Sequence, residues 1–262
     1  MLLQRLISAA LGIPVVAAII WVGGGLLAAL VAAAVFIAVI EIAAARGVAR
    51  TPASLVAAGL GAVLPPVALA NGDWLFGAVA LAIVVPSTLF TLSKEPRAAL
   101  DAWLWGIATA LYFGVLATHF VLLREHDNGR DWLFFTVITV WVTDTGAYFV
   151  GRAIGRRKLA PAISPGKTVE GAIGSAVAGL AAVFVLDAAF GLDLALGHRI
   201  ALGLLLPPVI MVGDLAESAL KRALGVKDSG VIVPGHGGIA DRLDSLLFAA
   251  PAVFYYLLAF NL

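Results

Sequence analysis

Apolar residues in this chain neither alternate nor stay on one helical face; they run on. "LISAALGIPVVAAIIWV" is followed, after a glycine triplet, by "LLAALVAAAVFIAVIEIAAA". Each run approaches the roughly 20 residues that carry a helix across a bilayer. Continued along the chain, the pattern predicts nine apolar segments, at about 6–23, 25–45, 53–70, 74–92, 99–123, 132–153, 168–190, 199–224 and 242–260. Backbone groups in lipid must be satisfied within the protein, and these runs are too long for barrel strands, so helices are predicted. Gly23-Gly24-Gly25, Asn71-Gly72-Asp73 and Asp127-Asn128-Gly129 supply turn residues between segments. A cleaved leader would be one such run ahead of a polar chain, so the first run is expected to be a span.

The expected fold class is an all-α polytopic membrane protein with about nine transmembrane helices. The expected organisation is a single integral membrane domain over 1–262, with N-terminal helices in 1–131 and functional helices and loops in 132–262. Composition agrees: 62% of residues are hydrophobic and only 13% charged, against about 25% charged in soluble domains. The chain has no cysteine, which removes disulfides, thiolate metal sites and cysteine nucleophiles. No basic stripe interleaved with aromatics occurs, so nucleic acid is not an expected partner.

The net charge of +1 conceals an asymmetry. With the N-terminus inside, the inner loops and helix ends hold Arg5, Arg46, Arg50, Lys94, Arg97, Arg152, Arg156, Arg157, Lys158, Lys167, Lys221, Arg222, Lys227 and Arg242. Arg124, Arg130 and Arg199 complete the 17 cations and fall outside. The positive-inside rule therefore predicts a cytoplasmic N-terminus and an external C-terminus. The last two inner loops carry most of the inner cations and most of the unusual polar residues, so chemistry is expected to face the cytoplasm.

Helix eight supplies the first candidates. In "GDLAESALKRALGVKDSG", Asp214, Glu217, Ser218 and Lys221 fall at i, i+3, i+4 and i+7, on one face. Asp241, Asp244 and Ser245 repeat that spacing at the start of helix nine. Acids inside apolar helices are expensive and ordinarily line a polar cavity. Two such faces suit a hard divalent cation with oxygen ligands, and magnesium fits better than zinc. The competing reading is a set of buried salt bridges to Lys221, Arg222 and Arg242.

Between those helices, "KDSGVIVPGHGGIADR" combines glycines that permit close backbone approach with Lys227 and Arg242. Metal, glycine loop and cations together suit a polyphosphate. His236 is a candidate phosphate donor there, with a structural loop histidine as the alternative. Upstream, "WVTDTGAYFVGRAIGRRKLAPAISPGKTVEG" places Asp144 in mid-helix, with Tyr148 one turn on. Ser164-Pro165-Gly166-Lys167-Thr168 looks like the end of a P-loop, but Pro161 stands where glycine is required. Lys167 still suits phosphate at a helix N-terminus. Glu170, in the first turn, suits either the site or a plain helix-end charge. Arg152, Arg156, Arg157 and Lys158 form a cationic patch that serves topology, anionic lipid or substrate docking. Glu41 is a further intramembrane acid for which the sequence names no partner.

These residues resemble the signature of the phosphatidate cytidylyltransferase, or CDP-diacylglycerol synthase, family. The resemblance rests on Ser218-Ala-Leu-Lys221-Arg222, Lys227-Asp228-Ser229-Gly230, Pro234-Gly-His236-Gly-Gly and Asp241-Arg242-Leu-Asp244. Asp144-Thr145-Gly-Ala-Tyr148, Ser164-Pro-Gly-Lys167-Thr168-Val-Glu170 and Gly213-Asp214 support it. It covers about 140–250 strongly, and it departs at Gly166, where many members carry lysine.

The resemblance implies cytidylyl transfer from CTP to phosphatidate, giving CDP-diacylglycerol and pyrophosphate in phospholipid biosynthesis. It also implies Mg2+ with room for a second metal ion, a bacterial cytoplasmic (inner) membrane, and a homodimer in contact with membrane lipid. The implied metal ligands are Asp214 and Asp241, with Asp144 and Asp244 as further candidates. The catalytic set is Asp214, Asp241, Lys221, Asp228 and Asp244. Ser164, Lys167, Thr168, Glu170, Ser218, Arg222, Lys227, His236, Gly237, Gly238 and Arg242 are expected at the substrates. The alternatives are a related CTP-dependent lipid enzyme (a polyprenol kinase or CDP-archaeol synthase type) and a membrane transporter. A transporter would show inverted repeats, with charge near the midplane of both halves.

Overall fold

The structure, a computed structural model, describes residues 2–232 and 237–262. Its helices are α1 (Leu2–Val22), α2 (Gly24–Ala45), α3 (Pro52–Ala70), α4 (Leu75–Thr91), α5 (Pro96–Glu125), α6 (Gly129–Ile154), α7 (Val169–Phe190), α8 (Leu196–Ala223), α9 (Ala240–Leu243) and α10 (Leu246–Phe260). A two-stranded hairpin, β1 (Lys158–Ala160) and β2 (Ser164–Thr168), joins α6 to α7. Eight helical stretches are long and apolar enough to cross a membrane, and α1 adds a shorter one at Ala10–Val22. The protein is an all-α polytopic membrane protein.

Two departures from the expected pattern bear on the site. The link after α6 is not wholly loop: β1 and β2 pair antiparallel, with Lys158 opposite Thr168 and Ala160 opposite Ser164. The last apolar segment is broken, ending α9 at Leu243 and starting α10 at Leu246. At the break the Asp244 carboxylate accepts the Ser245 amide at 2.6 Å. Local side-chain acceptors of this kind compete with the helical ladder.

The chain forms two compact units, one of Met1–Arg130 with Leu224–Leu243 and one of Asp131–Ala223 with Asp244–Leu262. In the first, α3 packs against α2, α4 and α5. The α3–α5 crossing is made close by small residues: a side chain at Gly61 would meet Ala110, and one at Gly114 would meet the Gly61 backbone. Small residues let transmembrane helices approach where no hydrophobic force between them exists. Arg124 donates to the Ile20 and Trp21 carbonyls at 2.9 and 3.1 Å, satisfying the end of α1.

In the second unit, α8 packs against α7 and α10. The approach of α6 to α7 again uses small residues, Gly146 and Gly151 lying over Gly174 and Gly171. At the far end of α7 from the hairpin, the buried Asp187 accepts the Leu194 amide at 3.0 Å and pairs with Arg199 at 2.8 Å. That acid fixes the α7–α8 turn.

Candidate active site

The hairpin and the start of α7 are set by two acceptors. Thr168 caps α7, its Oγ1 accepting the Gly171 amide at 3.1 Å. Glu170, in the first turn, reaches back to accept the amides of Arg156 at 3.0 Å and Arg157 at 3.2 Å. The carboxylate thus ties the end of α6 to the start of α7 and fixes the strand that carries Lys167.

Lys167 leaves β2 beside α8, where its Nζ lies 2.7 Å from Asp214 Oδ2. Ser218, one turn along α8, donates its hydroxyl to Asp214 Oδ1 at 3.3 Å. Lys167 and Asp214 border a cavity of about 590 Å3 in the second unit, lined also by Asp144, Tyr148, Arg152, Ser164, Thr168, Ser175 and Met211. That volume lies within the usual range of small-molecule sites. Asp144 shares that lining with the carboxylate of Asp214 and the cations of Lys167 and Arg152.

The remaining α8 candidates divide. Lys221 Nζ pairs with Glu217 Oε2 at 2.7 Å, with side-chain exposures of 13% and 1%. The salt-bridge reading is realised at this pair. Arg222 is exposed and donates to the Ile163 carbonyl at 3.4 Å, toward the hairpin turn.

The signature loop belongs to the first unit. Asp241 is 6% exposed, and its carboxylate accepts the amides of Ser229 at 3.0 Å and Gly238 at 2.8 Å. Gly237 lies against that carboxylate at φ +85°, where a side chain would be strained and would collide. Lys227 and Asp228 are exposed on the same loop, and Arg242 is exposed on α9. His236 lies outside the described residues.

Glu41 finds its partners here. Its carboxylate accepts from Ser229 Oγ at 3.2 Å, the Ile239 amide at 3.1 Å and the Ala240 amide at 3.0 Å. Spacing along one helix could not have shown this, because the partners lie 188 to 199 residues away. Tyr148 was legible one turn on from Asp144, whereas Arg152 was read only as part of a cationic patch; both line the cavity, at i+4 and i+8 from Asp144. In the structure Arg152 donates to the Tyr148 hydroxyl at 2.6 Å.

A divalent cation suits the donor chemistry of the second unit, which offers the carboxylate oxygens of Asp144, Asp214 and Asp244. Among the described residues, no three acid or histidine side chains stand at metal-holding spacing. Asp214, Asp144 and Asp244 are the groups from which such a site would be drawn.

A family profile described as "Cytidylyltransferase family" matches residues 3–260. The chain belongs to the cytidylyltransferase family. Among its cytidylyltransferase relatives, the phosphatidate cytidylyltransferase of Bacillus subtilis (strain 168) is 43% identical over 153 residues, covering 58% of this chain and 57% of the relative. Proteins of the same name from Staphylococcus haemolyticus and Haemophilus influenzae are 36% and 40% identical, over 69% and 70% of this chain. The matched segment spans 70% of the Staphylococcus relative, and less than two thirds of the Bacillus and Haemophilus ones, at 57% and 65%.

Proposed function

We infer that this protein transfers the cytidylyl group of CTP to phosphatidate, giving CDP-diacylglycerol and pyrophosphate. The observation that carries the reading is the cavity where Lys167 and Asp214 meet at 2.7 Å beside Ser164, Thr168 and Arg152, in a chain that belongs to the cytidylyltransferase family along nearly its whole length.

A phosphatidate phosphate oxygen attacks the α-phosphorus of CTP. A new P–O bond forms there, the bond to the β-phosphate oxygen breaks, and pyrophosphate leaves with the electron pair. The nucleophile is already anionic, so no general base is required; the obstacle is bringing anions together. Lys167 supplies a charged donor at the end of a fixed strand. Arg152, on the open face of α6, suits the lipid phosphate because its planar fork binds phosphate in bidentate fashion. Ser164 and Thr168 add hydroxyls, and Asp214 orients the Lys167 ammonium. Lys227, Arg242 and Arg222 are the further phosphate partners supported by the family resemblance.

Bound Mg2+, with a second ion where one is used, supplies neutralisation of the developing phosphate charge. Asp214, Asp144 and Asp244 would hold it, and Asp241 carries the same assignment from the resemblance. The cation bias of the loops supports a cytoplasm-facing site in a bacterial inner membrane. A homodimer is the assembly the resemblance supports.

Purified protein in detergent or nanodiscs, given CTP, Mg2+ and phosphatidate, is expected to release CDP-diacylglycerol and pyrophosphate together. Absence of both, with polyprenol accepted in place of phosphatidate, would overturn the assignment.

A further inference from the structure

We propose that Glu41 is a positioning residue that anchors the signature loop from inside the membrane-spanning helix α2. A carboxylate in an apolar helix is costly unless its acceptors are satisfied. Glu41 is 5% exposed, and among the described residues its hydrogen bonds all go to that loop. Oε1 accepts the Ile239 amide, while Oε2 accepts the Ala240 amide and the Ser229 hydroxyl. The two amides stand at the start of α9, where helical backbone donors lack internal partners. One side chain thus fixes both ends of a segment of about a dozen residues.

The loop is shaped around that side chain. A Cβ at Gly230 or at Gly238 would run into the Glu41 carboxylate. Ser229 carries the coupling further: its hydroxyl donates to Glu41 while its amide donates to Asp241. The orientation of Asp241 is therefore linked, through Ser229, to an acid in α2. Glu41 acts on the reaction through Ser229, α9 and Asp241.

The consequence for the reaction rests on the functional reading above; the anchoring itself is tested without substrate. Hydrogen exchange is measured on the full chain in nanodiscs, over peptides covering 229–232 and 237–241, in parallel with turnover at varied Mg2+. Glu41→Gln presents an amide N–H to one of the backbone donors. It is expected to speed exchange at Ile239 and Ala240 by about 10- to 100-fold, to lower kcat, and to raise the Mg2+ needed for half-maximal turnover. Glu41→Asp keeps both acceptor oxygens and is expected to restore part of each. Gly230→Ala pushes on the carboxylate without altering charge and is expected to loosen the same peptides. It also serves if Glu41→Gln fails to insert. Unchanged exchange in both Glu41→Gln and Gly230→Ala overturns the anchor. Faster exchange with wild-type kcat and Mg2+ dependence overturns the positioning role. A failure of the functional reading would appear separately, as wild-type protein without turnover.

Discussion

Replacing Lys221 with methionine removes an ammonium from α8 while keeping the length of the side chain. Its partner Glu217 is 1% exposed, with Oε2 2.7 Å from the Lys221 nitrogen, and Lys221 itself is 13% exposed. Breaking a buried ion pair by deleting one member costs about 3–5 kcal/mol, because the charge left behind is desolvated without compensation. Partial exposure of Lys221 puts the expectation at the lower end, about 3 kcal/mol. Replacing both members by methionine removes that penalty, and stability should return to within about 1 kcal/mol of wild type. Turnover should not return with it. If Lys221 also supplies a cation to phosphate, its loss costs about 100-fold or more, as for other preorganised donors. The assay is unfolding free energy in mixed micelles, paired with CDP-diacylglycerol formation, for Lys221→Met and for Glu217→Met/Lys221→Met. A double variant that recovers both stability and turnover would show that Lys221 serves only the ion pair. A Lys221→Met protein as stable as wild type would refute the burial argument.

Removing divalent metal with a chelator should abolish CDP-diacylglycerol formation and Mg2+ should restore it; full activity in chelator would remove the metal from the mechanism. Asp214→Asn should lower turnover and raise the Mg2+ requirement while the protein still inserts, read by titrating Mg2+ on both proteins. Glu170→Ala should free the Arg156 and Arg157 amides and speed hydrogen exchange across 156–168, with Glu170→Gln intermediate; equal exchange in all three proteins would contradict the tie between α6 and α7. Gly174→Ala places a methyl 2.5 Å from Val150 Cβ and should destabilise by about 1–3 kcal/mol through overpacking, measured as unfolding free energy in mixed micelles.

Helix placement was legible because hydrocarbon thickness and backbone satisfaction leave few choices for long apolar runs. Contacts within one helix were legible for a related reason: the 3.6-residue repeat fixes which residues share a face. Ser218 therefore reaches Asp214 and Lys221 reaches Glu217, at the i, i+4 spacing read from the chain. The hairpin was not legible. Pro161 and Pro165 interrupt "KLAPAISPGKT", and proline within a short run argues against a strand. Here β2 spans only Ser164–Thr168 and pairs on one side, with β1, so the missing N–H at Pro165 is tolerated. Glu170 was legible as a charge near a helix N-terminus. Its reach to the Arg156 and Arg157 amides depends on the turn that the hairpin makes, and no periodicity encodes that turn.

The intramembrane acids separate by what answers their charge. Asp187 is answered by Arg199 and the Leu194 amide, and Glu217 by Lys221; both pairs join residues a few positions apart or across one turn. Glu41 is answered by neutral donors from a distant loop, so its carboxylate does conformational rather than electrostatic service. Asp144 differs from all three: it is exposed in the cavity wall, together with Asp214, Lys167 and Arg152. Its carboxylate and that of Asp214 favour a cation there. Lys167 and Arg152, on the same cavity wall, equally favour an anion. A site that attracts both signs is suited to a metal-bound phosphate, whereas a structural salt bridge would be balanced within itself.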